Sequence, residues 1–162
     1  MLDQDINELY NHDKVKTLVS HTKGEGFGRP LLEFAAIGKP VIVSGWSGQV
    51  DFLDKDNVIF LGGTLEPVHP SASVDKMLLQ EAKWFKPDDA QVFTAYRELY
   101  ENYKNFLPGA KKQGQLARSI WSYKSMVAKL DSILAKFPEI PREVKLTLPK
   151  LKPLQLPQLK KI

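Results

Sequence analysis

Cysteine is absent from all 162 residues, which removes disulfides, thiolate catalysis and cysteine zinc sites together. Histidine is scarce, and His12, His21 and His69 show no metal-ligand spacing. No apolar run approaches the roughly 18 residues needed to span a membrane. The first ten residues, MLDQDINELY, are acidic and have no apolar core, so they do not read as a signal peptide. These absences lead to an expectation of a cytoplasmic protein with no transmembrane segment. A surplus of basic charge is also missing from most of the chain. Residues 137–162 hold six of the 23 basic and two of the 19 acidic side chains, which accounts for the whole net charge of +4. The rest is balanced, so no nucleic-acid partner is expected despite a pI of about 9.2.

What is present is concentrated between Val15 and Phe52. Val15 to Ser20 is apolar and β-branched enough to read as a buried strand. Gly24-Glu25-Gly26-Phe27-Gly28 follows, a turn whose backbone can approach a ligand because three residues lack a Cβ. Pro30 suits a helix start, and Leu31, Leu32, Phe34, Ala35, Ala36 and Ile37 continue as an almost wholly apolar helix ended by Gly38. Pro40-Val41-Ile42-Val43 is apolar without alternation, as strands covered on both faces are. The unit is βαβ.

Outside it, Asp3 to Tyr10 predicts a short helix capped by Asp3 or Asp5. Val58-Ile59-Phe60-Leu61 predicts a third strand, closed by Gly62-Gly63. Thr64 to Pro87, with three prolines, reads as a long loop with a helical fragment near Val74 to Gln80. Asp88-Asp89 opens a helix to about Phe106, Pro108-Gly109 breaks it, and a last helix runs from Ala110 to about Phe137. The fold class is therefore α/β, a Rossmann-like parallel sheet of about three strands with C-terminal helices. Residues 1–137 form the domain. Residues 138–162 form a Pro/Leu/Lys-rich tail, extended and either free or docked on a neighbour through its leucines.

The glycine turn is the first candidate for chemistry. Exposed N–H groups and the positive end of the helix dipole make a helix N-terminus an anion site, with the Gly26, Phe27 and Gly28 amides facing a phosphate. A plain tight turn is the alternative. The dinucleotide spacing G-x-G-x-x-G is not met, because Arg29 follows Gly28. Nor is Gly45-Trp46-Ser47-Gly48-Gln49 a nucleophile elbow, since Gln49 replaces its last glycine. Glu25 lies in the turn, and Glu33 stands in an otherwise apolar helix. Glu33 either reaches out to the helix edge or pairs with Arg29 four residues earlier, or, together with Glu25, accepts hydrogen bonds from ligand hydroxyls at the strand ends. Lys23 and His21 flank the turn, and Trp46, Trp84 and Trp121 read as core or interface residues.

The run from Ser20 to Val43, with Glu25-Gly-Phe-Gly, Pro30 and Glu33 in register, resembles the E-x7-E region of family-4 retaining glycosyltransferases of the GT-B fold. Ser47-Gly48-Gln49-Val50-Asp51-Phe52-Leu53 resembles the S-G-x-x-D-F turn that follows it. Trp84-Phe-Lys-Pro87-Asp88 and Arg118-Ser-Ile-Trp121-Ser122 resemble two later segments, so the likeness covers about residues 5–135. Phe34 stands where the family often has alanine.

The resemblance implies a nucleotide-sugar-dependent transferase acting with retention. Glu25 would hold hydroxyls of the donor sugar as the catalytic-site carboxylate. Gly26, Phe27 and Gly28 would give amides to the diphosphate, Glu33 would bind the ribose, and Ser47 and Gly48 would be donor-side neighbours. Neither a metal nor a separate cofactor is implied; the nucleotide-diphosphate sugar is a substrate, and the acceptor is unassigned. The matching region is only the later part of that family's nucleotide-binding domain, so the chain is expected to behave as a fragment, inactive alone. The runner-up is a non-catalytic binding or assembly module with this fold, self-associating as a homodimer or other assembly to cover an exposed edge strand or apolar face.

Overall fold

The computed structural model describes residues 2–72 and 81–137. The helical fragment expected near Val74 to Gln80 and the tail from Pro138 lie outside the described residues. Three parallel strands, β1 (Leu18–Ser20), β2 (Val41–Ser44) and β3 (Ile59–Leu61), form one sheet in the order β1-β2-β3. Leu18 pairs with Val41 and Ser20 with Val43; Ile42 pairs with Ile59 and Ser44 with Leu61. All four residues of β2 are buried, which is why this stretch is apolar without alternation.

Pleating sends alternate residues of β2 to opposite faces. Val41 and Val43 join Leu31, Phe34, Ala35, Phe52, Leu53 and Val58 in one core. Ile42 joins Leu61, Ala95 and Leu99 in a second. The first face is covered by α2 (Arg29–Ala36), and the second by α3 (Asp89–Glu101). β1 is shorter than the expected Val15 to Ser20. Its ladder starts only where β2 does, after Pro40, which has no N–H to give; Thr17 instead bonds the Pro40 carbonyl through its hydroxyl at 2.8 Å.

The first helix, α1 (Asp3–Asn11), is present, but its N-cap is Leu2. The Asp5 carboxylate reaches back to accept from the Leu2 N–H at 2.8 Å, one half of a capping box. Lys39 Nζ then fixes the far end of α1, donating to the Tyr10 carbonyl at 2.6 Å and the His12 carbonyl at 2.9 Å. Burial, and after it nearby Lys16, draws the Lys39 ammonium below the ordinary lysine value.

The reading of Thr64 to Pro87 as a loop needs correcting. β4 (Gly63–Pro67) and β5 (Lys83–Pro87) pair antiparallel, from Gly63 against Pro87 to Pro67 against Lys83. No short turn joins them, so the usual hairpin signal is missing from the sequence. Gly63 is required here, because a Cβ would lie 2.1 Å from the Lys86 carbonyl oxygen.

Helix breaks are also displaced. Asp88 caps α3 as expected, accepting from the Gln91 N–H at 2.9 Å. The break falls at Asn102, and Pro108 and Gly109 lie inside α4 (Tyr103–Ile120). Packing outweighs helix propensity there. Gly109 sits against the Asn57 backbone, and Gly114 leaves room for the backbone of Ala35 and Gly38. Ser122 ends the expected single last helix by capping α5 (Tyr123–Leu134) through the Ser125 N–H. No residue of α5 is buried. Among the described residues, no helix is long and apolar enough to cross a membrane.

Candidate functional site at the strand ends

β1 and β2 run parallel, so both release their chain at the same edge of the sheet, where ligands of open α/β sheets bind. The two turns leaving them, residues 21–28 and 45–48, lie in contact there. Gly28 is the N-cap of α2 with φ of 87°, a left-handed conformation that L side chains resist. A Cβ on it would also stand 3.2 Å from Glu25 Cγ and from Leu31 Cδ1. Around Gly24 and Gly26 there is open space instead, so the outer surface of the turn faces solvent. Among the described residues, the N–H groups of Gly26, Phe27 and Gly28 donate to no protein acceptor. The first turn of α2 is therefore closed by the Gly28 carbonyl, which accepts from Leu31 and Leu32, while the amides before it remain available to an anion.

The Phe27 side chain anchors this turn from behind. Its ring lies 5.0 Å from that of Phe52 and 5.6 Å from that of Trp121. Trp121 follows α4, and Arg118 in the last turn of α4 donates to the Ala36 carbonyl at the end of α2. Gln113, 1% exposed, extends the same support. Its amide accepts from the Asp54 N–H at 2.8 Å and donates to the Phe52 carbonyl at 2.9 Å. Sequence reasoning passed over Gln113. The available signal is that Ala110, Gly114 and Ala117 mark a close-packed stripe, and Gln113 is the polar residue on it.

Glu33 is half-buried and paired with Arg29, Oε1 to Nε at 2.8 Å. The pairing alternative thus holds in this state, with one carboxylate oxygen engaged. A cavity of about 180 Å³ lies against the pair, lined by Asp3, Ile6, Asn7, Tyr10 and Ile37. Burial, and secondarily the Glu33 charge, holds the Tyr10 phenol above its ordinary value.

The second turn clasps the first. Ser47 Oγ accepts from the Glu25 N–H at 3.0 Å and donates to the Glu25 carbonyl at 2.6 Å. The Gly48 N–H donates to the same carbonyl at 3.0 Å. A Cβ on Gly48 would be 2.3 Å from the Gly26 carbonyl oxygen, so only glycine allows the two backbones to meet. Just below, buried Gln49 donates to the Ser44 carbonyl at 2.9 Å.

Aromatic side chains form the rim. Lys23 Nζ sits 3.6 Å from the Trp84 ring centroid. The Phe85 N–H donates to the Lys23 carbonyl at 2.8 Å, and Phe85 stacks on Trp46. His21 stacks on Tyr96 and meets its hydroxyl at 3.0 Å. Glu25, Gly26, Phe27, Ser47 and Gly48 thus lie together at this edge of the sheet, with buried Gly28 closing the turn and Glu33 on the helix that the turn opens.

Against curated proteins, no match was found. The family sequence described as glycosyl transferases group 1 matches residues 1–83, which takes in both turns and the helix carrying Glu33. With half of its length matched, including the whole parallel sheet, this chain belongs to the glycosyl transferases group 1 family.

Proposed function

We propose that this chain supplies the donor-binding half of a retaining, GT-B-type glycosyltransferase that uses a nucleotide-diphosphate sugar. One observation carries the reading: three adjacent amides, those of Gly26, Phe27 and Gly28, meet no acceptor among the described residues at the N-terminus of α2. A diphosphate supplies acceptor oxygens there, and the helix dipole favours its charge. As the sugar leaves, negative charge grows on the diphosphate, and fixed N–H donors stabilise it without rearranging. Glu25 accepts hydrogen bonds from the sugar hydroxyls. Glu33 takes the ribose hydroxyls with the carboxylate oxygen that Arg29 leaves free.

Calorimetric titration with UDP, GDP and ADP tests this. One of the three binds, and Glu33→Ala weakens that binding about tenfold or more, as expected for removal of a charge-assisted hydrogen-bond acceptor. Absence of binding by all three overturns the reading.

A second reading, a self-associating module without catalysis, is favoured by α5. Its Met126, Val127, Leu130, Ile133 and Leu134 are all exposed, and a homodimer would cover them. Light scattering that returns a monomer at micromolar concentration removes that reading.

A further inference from the structure

Ser47 is the one residue other than glycine with positive φ among the described residues, at φ 75° and ψ −161°. That combination is open to glycine and costs other residues about 1–3 kcal/mol. Gly45 and Gly48 stand on either side of it, so glycine is freely used in this turn, yet the strained position carries serine. The hydroxyl gives a reason. It engages both backbone polar groups of Glu25, accepting from the N–H and donating to the carbonyl. Glu25 is flanked by Gly24 and Gly26, neither of which meets any atom at its Cβ position. A segment with three glycines and open space around two of them does not hold one conformation unaided. Its restraints come from the neighbouring turn, through Ser47 Oγ and the Gly48 N–H, and from Phe27 behind it.

We infer that Ser47 is the positioning residue of the donor site. It acts through Glu25, not through the ligand: its proton is given to the Glu25 carbonyl, and it accepts the Glu25 N–H. The strain at residue 47 is offset by these bonds, which hold the Glu25 carboxylate and the next three amides in the arrangement that a diphosphate sugar requires. Ordering of the turn is thereby completed before binding, so the ligand does not bear that cost. The inference rests on the reading of the turn as a diphosphate site.

Two substitutions separate strain from positioning. Ser47→Ala removes the hydroxyl and keeps the strain, whereas Ser47→Gly removes both. Ser47→Gly is expected to melt above Ser47→Ala, yet both bind the preferred nucleotide about tenfold more weakly than the parent. A hydroxyl that serves only the fold predicts affinity that follows stability. Near-parental binding by Ser47→Gly therefore overturns the inference. A second measurement needs no ligand. Backbone order parameters by ¹⁵N relaxation for residues 24–28 should fall from about 0.85 in the parent toward about 0.6 in both variants. An unchanged order parameter in Ser47→Gly also overturns the inference. If the parent binds no nucleotide but its turn loosens in the variants, Ser47 orders the turn, while the donor reading, and with it a role at a donor site, is overturned.

Discussion

The two faces of the three-stranded sheet are unequal. On one, α2 and α4 meet across small residues, Gly38 and Ala35 against Ala110 and Gly114, and one core beneath takes in Phe34, Val41, Val43, Phe52 and Leu53. On the other, α3 covers Ile42 and Leu61 but leaves an apolar groove of about 480 Å³, lined by Val19, Leu99, Tyr96, Tyr100 and Tyr103 beside the edge strand β1. Tyr100 there is 89% exposed. The candidate site is braced from the closed face, where Phe52 and Trp121 of that core meet the Phe27 ring.

Truncation tests the contrast most directly. Phe34→Ala on the closed face should destabilise by about 3–5 kcal/mol, because neighbours packed on every side cannot collapse into the space. Leu99→Ala should cost about 2 kcal/mol, near the lower end for its type, since one side of Leu99 already borders the groove. Equal losses in urea denaturation would show that the groove has no energetic weight. A comparable effect, about 2 kcal/mol, is expected for Gln113→Ala, which orphans the Asp54 N–H and the Phe52 carbonyl. The same variant should loosen Phe52 beneath Phe27, and nucleotide affinity should fall with it.

The smallest effect is one of pH, and it compares the faces through one tyrosine on each. Tyr10 packs edge-on against Phe34, and Tyr103 joins the second core. Burial raises both phenols above 10.0, and Glu33 adds to the shift at Tyr10. A raised folded-state value means that the neutral form is favoured on folding. That stability is fully present below the unfolded value and is lost as pH climbs through the folded ones. Urea midpoints should therefore fall above about pH 10, and Tyr10→Phe and Tyr103→Phe should each flatten the decline.

The closed face was the legible one. Apolar periodicity, Gly38 at φ of 79° and the apolar run of β2 all act locally, so α2, β2 and the turn between β1 and α2 follow from neighbouring residues. Glu25, Gly28 and Glu33 could be picked out because their types are odd for their surroundings. The remainder depends on partners distant in sequence. β4 and β5 pair without a turn signal, and Pro108 survives inside α4 because Gly109 and Gly114 fit against Asn57 and Gly38. Nothing around residue 47 reveals that a serine takes up a glycine conformation; only its two bonds to Glu25, 22 residues earlier, account for it.

That separation has a kinetic meaning. The Glu25–Ser47 clasp closes a loop of 22 residues, whereas the Tyr103 bond to Lys16 closes one of 87 and the Gln113 bond to Asp54 one of 59. Loop-closure entropy grows with the logarithm of length, so the clasp forms at about 1 kcal/mol less entropic cost than the longest of these. Contacts of short range are the ones a folding chain can make first. The surface that would meet a nucleotide thus closes at less entropic cost than the contacts that tie the bracing helices to the sheet.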